Sequence, residues 1–297
     1  MSSRESFFGL GPARDRNYVE IRDNPDLGFA RRFVEELWAK YRPLSDRHFL
    51  ADSSNHFLQR FWEMYLAITL KEHGLAPIKV RDEGPEFYFL LGEKKVWIEA
   101  VAPGPGTGPD AVPHPPLRRV FRVPQEQILL RFTNALAEKL KQYNAALKKR
   151  IVDVTDHYVV AINCRGIPHA LYGSVLPFGV MAFLPFGDPA VTIDKEQRRI
   201  VDSYFEYRGD VVKGSGAAVP TNSFLDPQYA GISGVLHSAV YPTAPLELGG
   251  DFWFLHNPFA TQPVDRRAFS FCRQYFFRDG MLQIIESARP LAETSVL

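Results

Sequence analysis

Apolar residues recur every three or four positions over three long stretches of the chain, and they alternate or run together over several shorter ones. Phe29, Phe33, Leu37 and Tyr41 share a helical face with Trp38 beside them, while Arg31, Arg32, Glu35 and Glu36 fill the other face. Asn24-Pro25-Asp26 marks the start of that helix and Pro43 its end. A second helix fits from Ser53 or Ser54 to His73, with Phe57, Phe61, Met64, Leu66, Ile68 and Leu70 at its apolar positions and Gly74 as its stop. A third runs from Gln125 to Lys149 on the stripe Ile128, Phe132, Leu136, Leu140, Tyr143 and Leu147.

Between the second and third helices the pattern shortens to strands at Pro77 to Val80, Glu86 to Leu91 and Lys95 to Val101. The last two are joined across Gly92-Glu93-Lys94 as an antiparallel hairpin. His157 to Asn163 is a continuous apolar run of the kind found at a sheet centre. Ala190 to Ile193, Arg199 to Tyr207, Gly231 to Val240 and Asp251 to His256 are further strands. Residues 1 to about 25 lack periodicity and read as an irregular lead-in. Ala102 to Pro124 is a Pro- and Gly-rich loop, long enough to be functional or mobile. The expectation is a single α/β domain over residues 1–297. It has a mixed central sheet flanked by helices within 26–165 and a β-rich C-terminal extension over 166–297.

Composition narrows the function classes without choosing among them. The chain has 297 residues, 45% of them hydrophobic and 23% charged, which is enough apolar material for a core without staples. A formal net charge of +1 gives no global pull toward nucleic acid or membranes, so any such contact rests on local patches. Cys164 and Cys272 are the only cysteines and can build neither a disulfide framework nor a structural zinc site. No secretory h-region is visible at the N-terminus, and Val175 to Phe186 is too short and too broken by proline to span a bilayer. A soluble, cytoplasmic protein is expected. The histidines lack metal-ligand spacing, Gly104, Gly106 and Gly108 lack a P-loop ending, and no serine stands in a G-x-S-x-G frame.

The chemistry concentrates between Phe61 and Val101, in three carboxylates. Glu63 lies on the second helix, Glu86 follows Gly84-Pro85 at a strand start, and Glu99 interrupts an apolar strand, where an unpaired charge is costly. Lys95, Trp97, Glu99 and Val101 share one strand face, and hairpin pairing brings Glu86 beside Glu99. Two or three acids at a sheet end suit Mg²⁺, which takes a few carboxylates with waters and phosphate oxygens. The plainer alternative makes Glu86 a solvated turn residue and turns Glu63 toward water.

The order helix, three strands, helix, strand, with FWEMYL, GPEF and VWIEAVAP on the first three acid-bearing elements, resembles the PD-(D/E)xK nuclease superfamily and its restriction-endonuclease-like αβββαβ core. More narrowly, it looks like a widespread bacterial family built on that core. The superfamily likeness spans roughly residues 55–163. It implies a Mg²⁺- or Mn²⁺-dependent nuclease acting on DNA or RNA, with Glu86 and Glu99 as metal ligands and Glu63 assisting. Val101 stands where the superfamily carries its lysine. Gln127 or Arg131 on the next helix is the expected substitute; otherwise Arg131 forms a structural ion pair with one of the acids. Arg118, Arg119 and Arg122 are the expected phosphate contacts, ahead of the helix residues Lys139, Lys141, Lys148, Lys149 and Arg150. The rival expectations are a non-catalytic nuclease-fold protein that binds nucleic acid or a protein partner, and an enzyme for a phosphorylated small molecule.

Overall fold

The computed structural model describes residues 6–79, 84–116, 118–171, 175–244 and 247–287; Val80, the expected end of the first strand, lies outside them. The described helices are α1 (Arg16–Asp23), α2 (Gly28–Tyr41), α3 (Phe49–Ser53), α4 (Phe57–Glu72), α5 (Gln125–Lys148) and α6 (Phe178–Phe183). The strands are β1 (Ile78–Lys79), β2 (Phe87–Leu91), β3 (Lys94–Val101), β4 (His157–Asn163), β5 (Phe186–Asp194), β6 (Arg199–Tyr207), β7 (Asp210–Val212), β8 (Ala218–Pro220), β9 (Gly234–Ser238), β10 (Trp253–His256), β11 (Arg273–Arg278) and β12 (Met281–Ile285).

One mixed sheet of eight strands runs β1-β2-β3-β4-β9-β10-β11-β12, and β5-β6 and β7-β8 form two small sheets of their own. The β2–β3 pairing is the expected antiparallel hairpin, and β3, β4 and β9 are parallel. The C-terminal region therefore extends the central sheet as well as adding the two small sheets beside it. Both faces of the sheet are covered, which explains why β4 and β9 are buried along their whole length. Val96, Ile98 and Ala100 of β3 join the apolar layer that contains α2 and α4, whereas Trp97 joins the layer of α5 and α6. Strand alternation thus fixes which residues can face α5, and Glu99 is one of them.

α4 is buried nearly all round and docks on the sheet, with Trp62 Nε1 donating to the Ala161 carbonyl at 3.0 Å. Gly74, at φ +80°, supplies the left-handed residue that ends the α4 segment. The helix begins at Phe57, not at Ser53 or Ser54, because the short α3 precedes it. The lead-in is not irregular throughout. Asp15 caps α1 by accepting from the Asn17 and Tyr18 amides, and its other oxygen accepts from Phe57 N at 2.9 Å. One carboxylate thereby ties α1 to the start of α4. Among the described residues no helix is long and apolar enough to cross a membrane.

Candidate active site

Glu63 does not face water. Its side chain is 1% exposed, and its oxygens accept from Gln59 Nε2 at 2.9 Å and from Arg60 Nη1 at 2.7 Å. Arg60 reaches on to Asp52 at 2.7 Å and, more distantly, to Asp46 at 4.0 Å, and lies over the Phe49 ring, so one guanidinium serves three acids. Gln59 also accepts from Ala102 N at 2.8 Å, which fastens the end of β3 to α4. Burial raises the Glu63 carboxyl to about 7; the charge on Glu86 adds to the rise and Arg60 opposes it.

Glu86 is half-buried at the turn before β2, with Lys79 Nζ 3.0 Å from one oxygen. The last registered pair of the hairpin is Phe87 with Ile98, so one step further places Glu86 opposite Glu99. Glu99 is buried and meets Lys139 Nζ of α5 at 2.6 Å, with Tyr158 hydroxyl 3.5 Å from its second oxygen. Lys139 is held in turn by Gln142 Oε1 at 3.0 Å. Burial raises the Glu99 carboxyl above the usual carboxylate range, Lys139 pulls it down, and Glu86 pushes it up again. The Tyr158 hydroxyl is raised by burial and then by the Glu99 charge.

Glu86 contributes to the rise of both Glu63 and Glu99, so it is the electrostatic link between α4 and β3. The Gly84-Pro85 turn lines two cavities. One, of about 1040 Å³, includes Arg47, His48, Arg60, Lys79 and Glu86; the other, of about 230 Å³, includes Glu99, Gln142, Lys149 and Tyr158. Gly84 sits close against the core here, since a Cβ at that position would stand 2.8 Å from Ile151 Cγ2.

The expected substitutes for the missing lysine lie elsewhere. Arg131 Nε donates to the Gly104 carbonyl at 3.0 Å, and its guanidinium pKa is lowered by burial alone, with no carboxylate opposing. The reason is the run of α5: eight residues separate Arg131 from Lys139, about 12 Å of helix rise. Gln127 is a further turn toward the helix start, about 18 Å of helix rise from Lys139. Lys95 lies over the rings of Tyr88 and Trp97. Lys139, expected only as a lesser phosphate contact, is three residues after Leu136 and four before Tyr143, on the apolar stripe itself. A lysine in that stripe is the signal that it turns inward toward a charge.

The loop after β3 is tied down. Asp110 accepts from Gly214 N at 2.6 Å, Pro113 carbonyl meets His169 Nε2 at 3.0 Å, and the Phe121 ring lies 4.8 Å from that of His169. Arg118, Arg119 and Arg122 are exposed on it, next to the start of α5 and at the opposite end of that helix from Lys149.

Mg²⁺ and Mn²⁺ take hard carboxylate oxygens, and the strand register sets Glu86 and Glu99 at one sheet end, although they line different cavities. Among the described residues no three His, Cys, Asp or Glu side chains are gathered closely enough to hold a metal ion. Glu63 is committed instead to Arg60 and Gln59 on the α4 side. Comparison with protein-family models, with curated proteins and with solved structures found no match.

Proposed function

We propose that this protein is a Mg²⁺- or Mn²⁺-dependent nuclease of the PD-(D/E)xK type, hydrolysing phosphodiesters in nucleic acid, with DNA as the substrate to try first. The observation that carries the reading is the 2.6 Å contact between Lys139 Nζ and Glu99, which puts an ammonium beside the acid that lacks a lysine two residues on. Glu86 and Glu99 would hold the ion. When bound, it supplies an activated water and stabilises charge on the phosphoryl oxygens. Lys139 orients the attacking water or steadies developing negative charge, the task that Val101 cannot perform. Tyr158 and Gln142 hold the Glu99–Lys139 pair in place. Arg60 and Gln59 keep Glu63 fixed as a buried support for the β3 end. Arg118, Arg119 and Arg122 offer exposed charge for phosphates, and Lys149 lies at the Glu99 cavity. Two buried, unpaired cysteines fit a reducing cytoplasm, where we place the protein.

A second reading, a non-catalytic nuclease-fold protein, is favoured by one observation: each of the three acids already touches a side-chain cation. Cleavage assays on single- and double-stranded DNA and RNA with Mg²⁺ or Mn²⁺, run beside Mn²⁺ calorimetry, separate the two. The nuclease reading expects cleavage and Mn²⁺ binding that both drop about a hundredfold or more in Glu99→Gln. Neither cleavage nor Mn²⁺ binding by the wild-type protein leaves the non-catalytic reading.

A further inference from the structure

Away from the acids, a crevice of about 320 Å³ opens where the parallel strands β4 and β9 end and β10 and β11 begin. Carboxyl ends of parallel strands are where open α/β sheets take their ligands, and this volume is at the lower end for a small-molecule site. Its walls include Phe178, Trp253 and Tyr275, and its polar groups include His237, Asp251 and Arg273. His237 and Trp253 are direct cross-strand partners, their rings stacked 4.3 Å apart at 16°, with Phe132 5.8 Å away on the other side. Trp253 cannot retreat, because its ring edge packs on Gly179, where a Cβ would stand only 2.7 Å from Cη2.

Two polar atoms at this crevice are buried without a hydrogen-bond partner among the described residues: His237 Nδ1 and Asp251 Oδ1. The other Asp251 oxygen is fully engaged, accepting from Ser238 Oγ at 2.6 Å and Ala239 N at 2.7 Å. Native structures rarely leave such groups orphaned, and each one calls for a cause. Burial lowers the His237 pKa to about 3, so the imidazole is neutral, and the Arg273 guanidinium at the crevice already donates to Glu286 at 2.9 Å. Asp251 offers a lone acceptor, and the Nδ1–H tautomer of His237 offers a donor beside it.

We infer that this crevice binds a planar nitrogen heterocycle of nucleobase size, with a ligand N–H on Asp251 Oδ1, a ring nitrogen or carbonyl accepting from His237 Nδ1, and aromatic walls along its faces. The inference is independent of the nuclease reading, since it uses none of the residues around Glu99.

Calorimetric titration of the full chain with adenosine, guanosine, cytidine and thymidine tests it, with n-butylamine as a non-planar cation of similar reach. Two variants accompany the wild type. His237→Phe keeps the ring stack and removes the polar atoms, so it also removes an unsatisfied group and keeps the fold. Asp251→Asn presents its oxygen to Ser238 and Ala239 and turns an amide donor toward the ligand, reversing the polarity of the contact. The expected result is one-to-one binding of at least one nucleoside, weakened about tenfold or more in each variant, the equivalent of one hydrogen bond. The inference is overturned if no nucleoside binds, if His237→Phe binds as tightly as the wild type, or if only the alkylamine binds.

Discussion

At the β2–β3 end of the sheet each of three carboxylates touches a cation: Glu63 with Arg60, Glu86 with Lys79 and Glu99 with Lys139. At the β9–β11 end, His237 and Asp251 each keep a buried polar atom with no partner among the described residues. The first region holds charge and balances it pair by pair, whereas the second holds neutral polarity on His237 and leaves it open. A balanced charge cluster resists removal of any one member, because the partner left behind remains buried. An orphaned neutral group already carries its desolvation cost, so removing it is cheap. The same sheet thus has one end that mutation should break and another that mutation should barely disturb.

Arg60→Leu should do the most damage. It strands Glu63 and Asp52 together, and urea denaturation should show a loss of about 3–5 kcal/mol, as for other broken buried pairs. An unchanged midpoint would mean that α4 tolerates the acid alone.

The pH dependence should differ in sign between the two ends. Folded Glu63 holds its proton more tightly than the unfolded chain does, so stability falls as pH rises from the ordinary carboxylate range to about 7. Over that window the loss is on the order of 3 kcal/mol, and Glu63→Gln should flatten it. Burial instead lowers His237 to about 3 and His256 to about 4, so the unfolded chain protonates first. Stability then falls as pH drops from about 6.5 toward 4, by up to about 1.4 kcal/mol per pH unit for each histidine. His237→Phe should remove one histidine's share of that acid-side slope and leave the fall toward pH 7 untouched. Thermal melts from pH 4 to 8 check both.

Lys139→Met should cost about 2 kcal/mol, less than Arg60→Leu, because Lys139 meets Glu99 alone whereas Arg60 bridges Glu63 and Asp52. The double variant Lys139→Met, Glu99→Gln should recover part of the loss, and additive losses would deny the pair. The smallest effect is expected of His237→Phe at pH 8, within about 1 kcal/mol of the wild type and of either sign.

Much of the fold was legible because long periodic helices and a fully apolar central strand leave few alternatives. β4 and β6 match their expected spans residue for residue, and α5 ends within one residue of its own. The misses have physical causes. α1 is only eight residues long with Tyr18 and Ile21 buried, so its signal is the Asp15 cap and not a stripe. α6 is six buried residues with no polar face, and a continuous apolar run carries no period. The β11–β12 hairpin was announced by Asp279-Gly280, both at positive φ, as a two-residue turn of that type requires.

In the site, Glu99 stood out as an acid inside an apolar strand, whereas Glu63 could equally have faced water from its helix, and both are buried. Their cations did not stand out equally. Arg60 lies one turn from Glu63, a local relation that spacing reveals. Lys139 lies 40 residues from Glu99, and which turn of α5 meets β3 depends on how the helix docks after the long loop. The polar residues expected near the acids, Gln127 and Arg131, lie about two to three turns before Lys139, which is the α5 residue that meets Glu99.

The central claim is that Lys139 serves as the lysine absent at Val101, and single-turnover DNA cleavage with Mn²⁺ by wild type, Lys139→Arg and Lys139→Met tests it most directly. The account predicts a cutting wild type, a rate lower by about a hundredfold or more in Lys139→Met, and partial recovery in Lys139→Arg. Cleavage by Lys139→Met at the wild-type rate would contradict it.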